Sequence, residues 1–190
     1  MHPMNKAEAR RIIKERKSLM SSKEVQEKSK AIGDKAFQIL QELEPTTVAV
    51  YLAMPDEVQT DHLIHRLLQE QRHQLVIPRV DDATTMRFYA YYEGKEMKLS
   101  NYKIWEPMDE ISEEVIPSVV MVPGVAFDRQ GGRVGRGKGF YDRYFGKHQE
   151  KITHRIAICY ELQLLDEVPM DELDLPMHQI VTENEIIDIQ

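Results

Sequence analysis

Residues 118–143 read Ser118-Val-Val-Met-Val-Pro-Gly-Val-Ala-Phe-Asp-Arg-Gln-Gly-Gly-Arg-Val-Gly-Arg-Gly-Lys-Gly-Phe-Tyr-Asp-Arg143. They decide the fold because three signals follow one another directly. Residues 118–123 are a short β-branched, apolar run of the kind found in a sheet buried on both faces. In the next segment five of nine consecutive positions are glycine, namely Gly131, Gly132, Gly135, Gly137 and Gly139. That density allows conformations barred to other residues, so that backbone N–H groups can close around an anion. From Phe140 a helix is predicted through Gln149. Strand, glycine loop and helix in that order place a ligand beyond the carboxyl end of a sheet, with a helix N-terminus turned towards its negative charge.

The loop is also cationic. Arg129, Arg133, Arg136, Lys138 and Arg143 stand against only Asp128 and Asp142, in a chain whose formal net charge is −7. A polyphosphate accounts for that local excess better than a solvated surface hairpin does. Gly132-x4-Gly137-Lys138 matches most of a P-loop, but Gly139 stands where the magnesium-holding hydroxyl belongs. Asp142 is then the nearest candidate to hold a metal. The dinucleotide fingerprint fails as well, because its third glycine position is Asp142.

Working outward, residues 46–53 are β-branched and apolar throughout, the pattern of a buried parallel strand. A helix is predicted after them, with Thr60 as its cap and Leu63, Ile64, Leu67 and Leu68 as its apolar stripe. His62 and His65 lie on this helix without a third metal ligand. Residues 74–79 read as a strand and residues 86–91 as a more exposed one. Between Gly94 and Pro117 the pattern is uninformative. Residues 154–160 supply another strand, and 180–182 with 186–189 supply short closing ones. At the amino end, residues 6–16 are rich in helix formers, with Lys6 and Arg10 on one face. Ser21-x-x-Glu24 forms a capping box for a longer helix that carries Val25, Ile32, Ala36, Phe37, Ile39 and Leu40 and ends before Pro45. The expected fold is α/β: a three-layer α/β/α sandwich around a mostly parallel, Rossmann-like open sheet, in one domain over residues 1–190.

Composition excludes several functions. With 190 residues, 42% hydrophobic and 30% charged, the chain can bury roughly 70% of its unfolded surface around one core. No apolar run approaches the ~18 residues of a membrane span, and the first six residues carry no apolar signal core. No membrane role and a cytoplasmic location are therefore expected. The single cysteine, Cys159, lies within an apolar strand and is assigned no chemistry. Nucleic acid is not expected as a partner, since the basic charge is confined to one loop. A monomer is expected.

The run from Pro123 to Arg143 resembles the signature of the 5-formyltetrahydrofolate cyclo-ligase family, also called methenyltetrahydrofolate synthetases. The resemblance extends to Lys6 and Arg10, to Glu57 after a strand and to a late acid at Asp174, and so covers nearly the whole chain. It implies ATP- and Mg²⁺-dependent conversion of 5-formyltetrahydrofolate into 5,10-methenyltetrahydrofolate, with release of ADP and phosphate. It implies further that ATP is held by Lys6, Arg10, Arg133, Val134, Gly135, Arg136, Gly137, Lys138, Gly139, Phe140 and Tyr141. Arg136 and Lys138 would act on the transferring phosphoryl group. Leu52 and Glu57 would bind the folate, together with residues 136–140 of the loop (Arg136, Gly137, Lys138, Gly139, Phe140). Asp142 and Asp174 would hold Mg²⁺, with Asp171 an alternative to Asp174. Met54, Tyr102 and Trp105 are candidates for apolar or stacking walls. A phosphotransferase for another small substrate and a nucleotide-binding module without turnover remain open beside this reading.

Overall fold

The computed structural model describes residues 2–190. A seven-stranded sheet forms the centre. It contains β1 (Thr47–Ala49), β2 (Gln74–Val80), β3 (Met86–Ala90), β6 (Val119–Val122), β9 (His154–Ile158), β10 (Gln179–Val181) and β11 (Ile186–Asp188). The spatial order is β11-β10-β9-β6-β1-β2-β3. Five central strands run parallel, and β3 and β11 close the edges antiparallel. Both edge strands follow their neighbours through turns too short for a parallel crossover.

Side chains alternate across the sheet, as the pleat requires. Val48, Leu75, Val119, Met121, Ile156 and Ile158 face one way, onto α2 (Ser22–Glu42) and α3 (Asp61–Glu70). Ala49, Val76, Val120, Val122, Ala157 and Cys159 face the other way, onto Tyr144 and Phe145 of α4 (Phe140–Lys147). This is the expected three-layer α/β/α sandwich. Each fully buried aliphatic side chain contributes about 1.5–3 kcal/mol.

The capping box at α2 forms as expected, with Ser21 accepting the Glu24 N–H and Glu24 reaching back to the Ser21 N–H. Thr60 behaves otherwise. It precedes α3 but caps nothing with its side chain; its hydroxyl donates instead to the Tyr51 carbonyl at 2.7 Å, tying the exit of β1 to the start of α3. The strand expected over 46–53 is paired only as Thr47–Ala49, because the chain leaves the sheet to build the site. The helix from Phe140 stops at Lys147, before Gln149. β3 is not the exposed strand expected: Met86, Phe88 and Tyr89 are buried, with Phe88 edge-on to Tyr144 at 4.9 Å.

The stretch between Gly94 and Pro117 contains a hairpin of β4 (Met97–Leu99) and β5 (Trp105–Pro107) and a single 3-10 turn. Arg79 fastens it over the end of β2, donating to the carbonyls of Pro107 and Asp109 at 2.9 and 2.7 Å. A second hairpin, β7 (Ala126–Phe127) and β8 (Arg133–Val134), carries the glycine loop. α1 (Lys6–Ser18) lies on it through Ala9 and Ile13, which pack with Ala126, Val134 and Val168. No helix among the described residues is long and apolar enough to cross a membrane.

Candidate active site

From β1 the chain passes through α3 to β2 on one side, while β6 lies on the other. This reversal opens a crevice at the carboxyl ends of β1 and β6, where open α/β sheets take their ligands. A cavity of about 1040 Å³ fills it. Single-ligand sites commonly measure ~300–1,000 Å³, so the space is at the upper end of that range.

α4 begins at this crevice. Gly139 caps it at φ +70°, a left-handed turn that glycine adopts without penalty, and an added Cβ there would lie 2.9 Å from the Arg143 guanidinium. Of the other loop glycines, Gly131 and Gly137 also have positive φ, whereas Gly132 and Gly135 do not. Gly132 is required for a different reason: a Cβ would lie 2.6 Å from the Asp128 carboxylate and 2.7 Å from Val168. Asp128 is buried and accepts N–H bonds from Gln130, Gly132 and Val168 at 3.0, 2.8 and 2.9 Å. It thus joins the glycine hairpin to the segment that leads to Asp174.

The cavity wall contains Lys6, Arg10, Arg133, Gly135, Arg136, Gly137, Lys138, Gly139, Phe140, Tyr141 and Asp142, with Leu52, Glu57 and Asp174. Val134 is absent from it. Alternation along β8 turns Arg133 towards the cavity and Val134 into the apolar layer under α1. Arg129 is absent too, contrary to its expected share in the anion-binding charge. It reaches away to Glu185 at 2.9 and 3.0 Å and to Glu161 at 3.4 Å. Arg143 does line the cavity, held by the carbonyls of Thr84 and Lys138. Trp105 points outward, while Met54 and Tyr102 are in the wall. His62 bonds Asp34, and no group of three His, Cys, Asp or Glu among the described residues could hold a metal.

The cations are individually anchored. Arg10 donates to the Gly135 carbonyl at 2.8 Å. Arg133 is buried, donates to the Pro123 carbonyl at 2.7 Å and lies 3.6 Å from Asp142; burial pushes its guanidinium below the ordinary value, with Asp142 pulling it back. Lys6 spans Asp171 and Asp174 at 2.9 and 2.7 Å. Burial alone would lower its ammonium, but those hydrogen bonds outweigh it and raise it. Lys138 is exposed and forms no ion pair among the described residues.

The acids sort by environment. The Asp174 side chain is 6% exposed, against 61% for Asp171. Asp174 lies beside Asp142, whose carboxyl is pushed up by burial and by that neighbouring charge, against the pull of Arg133 and Lys6. Asp174, not Asp171, therefore partners Asp142. Glu57 accepts the Met54 N–H at 2.8 Å with one oxygen and has Arg136 3.9 Å from the other. Burial raises its carboxyl. Burial likewise holds the Tyr141 phenol well above its ordinary value, helped by the Glu57 charge.

Three participants escaped the sequence. Asp56 receives Arg136 at 2.6 Å, an ordinary loop acid until the fold sets it opposite the glycine loop. Lys17 donates to the Asp56 carbonyl at 2.7 Å, and burial lowers its ammonium. It falls seven residues after Arg10, on the same helical face, which was the available signal. Glu106, with Pro78, Val80, Met86 and Ile104, adds an annex to the cavity over the ends of β2 and β3.

Comparison with known proteins finds the same lineage by three routes. A family profile described as the 5-formyltetrahydrofolate cyclo-ligase family matches residues 3–183. The 5-formyltetrahydrofolate cyclo-ligase of Escherichia coli K12 is 28% identical over 180 residues, covering 92% of this chain and 98% of that one. A probable 5-formyltetrahydrofolate cyclo-ligase of Schizosaccharomyces pombe is 32% identical over 156 residues, covering 74% and 76%. Among solved structures, Aquifex aeolicus 5,10-methenyltetrahydrofolate synthetase superposes with a TM-score of 0.78 at 26% identity, covering 98% of this chain and 94% of that one.

Proposed function

Since the chain belongs to the 5-formyltetrahydrofolate cyclo-ligase family, we propose that it converts 5-formyltetrahydrofolate into 5,10-methenyltetrahydrofolate, with ATP and Mg²⁺ and with release of ADP and phosphate. The observation that carries this reading is the reach of Arg136. It projects from the glycine loop to within 2.6 Å of Asp56 and 3.9 Å of Glu57, so the phosphate end and the carboxylate end of one cavity meet at a single guanidinium.

An N-formyl oxygen is a poor leaving group. Its attack on the γ-phosphorus forms an O–P bond, breaks the β–γ bridge and releases ADP. The N10 lone pair then attacks the formyl carbon, N10 gives up its proton, and the C–O bond breaks to release phosphate. The protein's work is alignment and charge neutralisation. Lys138 and Arg136 meet the transferring phosphoryl oxygens, and Arg10 and Lys6 close over the phosphates from α1. Backbone N–H groups of residues 135–139 and the start of α4 face the same charge. Leu52 and Glu57 hold the reduced pterin, with Glu57 accepting its N–H groups.

Asp142 and Asp174 fit a hard divalent cation. They are two neighbouring oxygen donors, with the Asp142 carboxyl pushed up by burial and by the Asp174 charge, and phosphate oxygens and water would complete the shell. Bound there, the ion would neutralise phosphate charge. A single buried cysteine suits a reducing compartment, and we place the reaction in the cytoplasm, carried out by a one-domain monomer. The test is phosphate release. It should require 5-formyltetrahydrofolate and ATP together; ATP hydrolysis indifferent to the folate would sink the proposal.

A further inference from the structure

Two acids lie within reach of Arg136, and a single guanidinium nitrogen selects between them. Its Nη2 donates to Asp56 Oδ1 at 2.6 Å and lies 3.9 Å from Glu57 Oε2. The second distance is about 1 Å beyond hydrogen-bonding length. The two acids are adjacent in sequence but point apart. Met54-Pro55-Asp56-Glu57 closes a turn in which the Glu57 N–H donates to the Met54 carbonyl at 3.0 Å. Asp56 is thereby sent outward, its side chain 55% exposed and outside the cavity wall, and Glu57 inward at 11%.

The turn is held from several sides without the Asp56 carboxylate. Lys17 donates to the Asp56 carbonyl at 2.7 Å, and Tyr160 and Gln59 donate to the Glu57 carbonyl at 3.2 and 2.8 Å. What the carboxylate holds is Arg136. Burial would raise the Asp56 carboxyl, but the hydrogen bond and charge of Arg136 outweigh it and hold it below the ordinary value. Glu57 Oε1 already accepts the Met54 N–H at 2.8 Å, whereas Oε2 accepts no hydrogen bond among the described residues. Seating the guanidinium on Oε2 would bury more charge than seating it on the exposed Asp56, so Arg136 stays at the rim while Asp56 is present.

We propose that Asp56 is a positioning residue for folate binding: by holding Arg136 at the rim it keeps Glu57 Oε2 open to the N–H groups of the incoming pterin, until nucleotide phosphate takes the guanidinium over. This rests on the reading above in which Glu57 holds the pterin. Without Asp56, the carboxylate left facing Arg136 among the described residues is Glu57. A charge-assisted pair formed there would have to be broken before the ring could bind.

The test is equilibrium dialysis of 5-formyltetrahydrofolate, without nucleotide, against the wild type, Asp56→Ala, Arg136→Ala and the double variant. An exposed ion pair adds little to stability, so each variant should fold. Asp56→Ala should weaken folate binding by about tenfold or more. Removing Asp56 from a chain that already lacks Arg136 should change it by less than about twofold. Asp56→Asn, which keeps an acceptor without the charge, should fall between wild type and Asp56→Ala. ATP dialysed alone should bind Asp56→Ala within about threefold of wild type, because the guanidinium leaves a carboxylate in either protein. An equal loss of folate in both backgrounds would show that Asp56 acts through the turn and not through Arg136, and would overturn the proposal. Folate binding by Asp56→Ala within about twofold of wild type would overturn it as well. Glu57→Ala separates the proposal from its premise. Folate lost in that variant but bound normally by Asp56→Ala refutes the role of Asp56 alone, whereas folate bound normally by Glu57→Ala removes the reading of Glu57 and the proposal with it.

Discussion

Replacing Asp128 with alanine should separate the architecture of the glycine loop from its chemistry, because Asp128 is outside the cavity wall yet fixes two segments that line it. Its carboxylate accepts from Gln130 at 3.0 Å, Gly132 at 2.8 Å and Val168 at 2.9 Å. Gln130 is exposed, so water replaces its partner at little cost. Gly132 and Val168 are buried, so their N–H groups are left without an acceptor. At about 1–3 kcal/mol for each buried orphan donor, and allowing for the lost packing against Val168, Asp128→Ala should cost about 3–5 kcal/mol. Asp128→Asn keeps one oxygen for Gly132 and Gln130 but turns an amide donor towards the Val168 N–H, and should cost about half as much. Urea unfolding followed by circular dichroism measures this, with an unchanged slope showing that the same surface is exposed. A loss below about 1 kcal/mol in the alanine variant would refute the reasoning, since two buried donors cannot go unbonded so cheaply.

Three further outcomes follow from the site. Lys138→Ala removes an exposed side chain that has no ion-pair partner among the described residues, so thermal unfolding should not change, while turnover should fall by about 10²–10³; activity within about tenfold of wild type would remove Lys138 from the reaction. Asp142 has a raised carboxyl, so its contribution to stability is present below the unfolded value and lost as pH rises; at neutral pH its ionised form strains the ligand-free fold. Asp142→Asn should therefore raise the melting temperature of the ligand-free protein at pH 7 while abolishing stimulation by Mg²⁺, and a lowered melting temperature would show that the crowding is not there. Asp81 is the opposite case: burial would raise its carboxyl, but hydrogen bonds from Arg87 and Arg79 outweigh this and hold it below 3.8. Its contribution is present above the unfolded value and lost as pH falls through the depressed one, so Asp81→Asn should destabilise at pH 7 and flatten the acid limb of the stability curve.

The sheet was legible wherever strands are buried on both faces. Residues 119–122 and the 156–158 part of β9 announce themselves because a parallel strand between two helical layers has no polar positions to blur it there. The glycine loop was legible because left-handed turns and close approaches admit few residues other than glycine. What failed was orientation. Arg129 and Arg133 are four residues apart in one cationic run, yet the turn sends Arg129 to Glu185 while the strand buries Arg133 beside Asp142. Val134 was drawn into the site by its neighbours, although the two-residue period of a strand turns it away. The β4–β5 hairpin was invisible because its strands are only three residues long, mix exposed with buried positions and are held by Arg79 from a distant strand, and Glu106 was hidden with it.

The most direct measurement mixes the pure protein with 5-formyltetrahydrofolate, ATP and Mg²⁺ and follows the near-ultraviolet absorbance of the methenyl product, with ATP omitted as the control. The account predicts a rise that requires ATP and matches the phosphate released one for one. No rise while ATP and the folate both bind would contradict it and assign this cavity to another reaction.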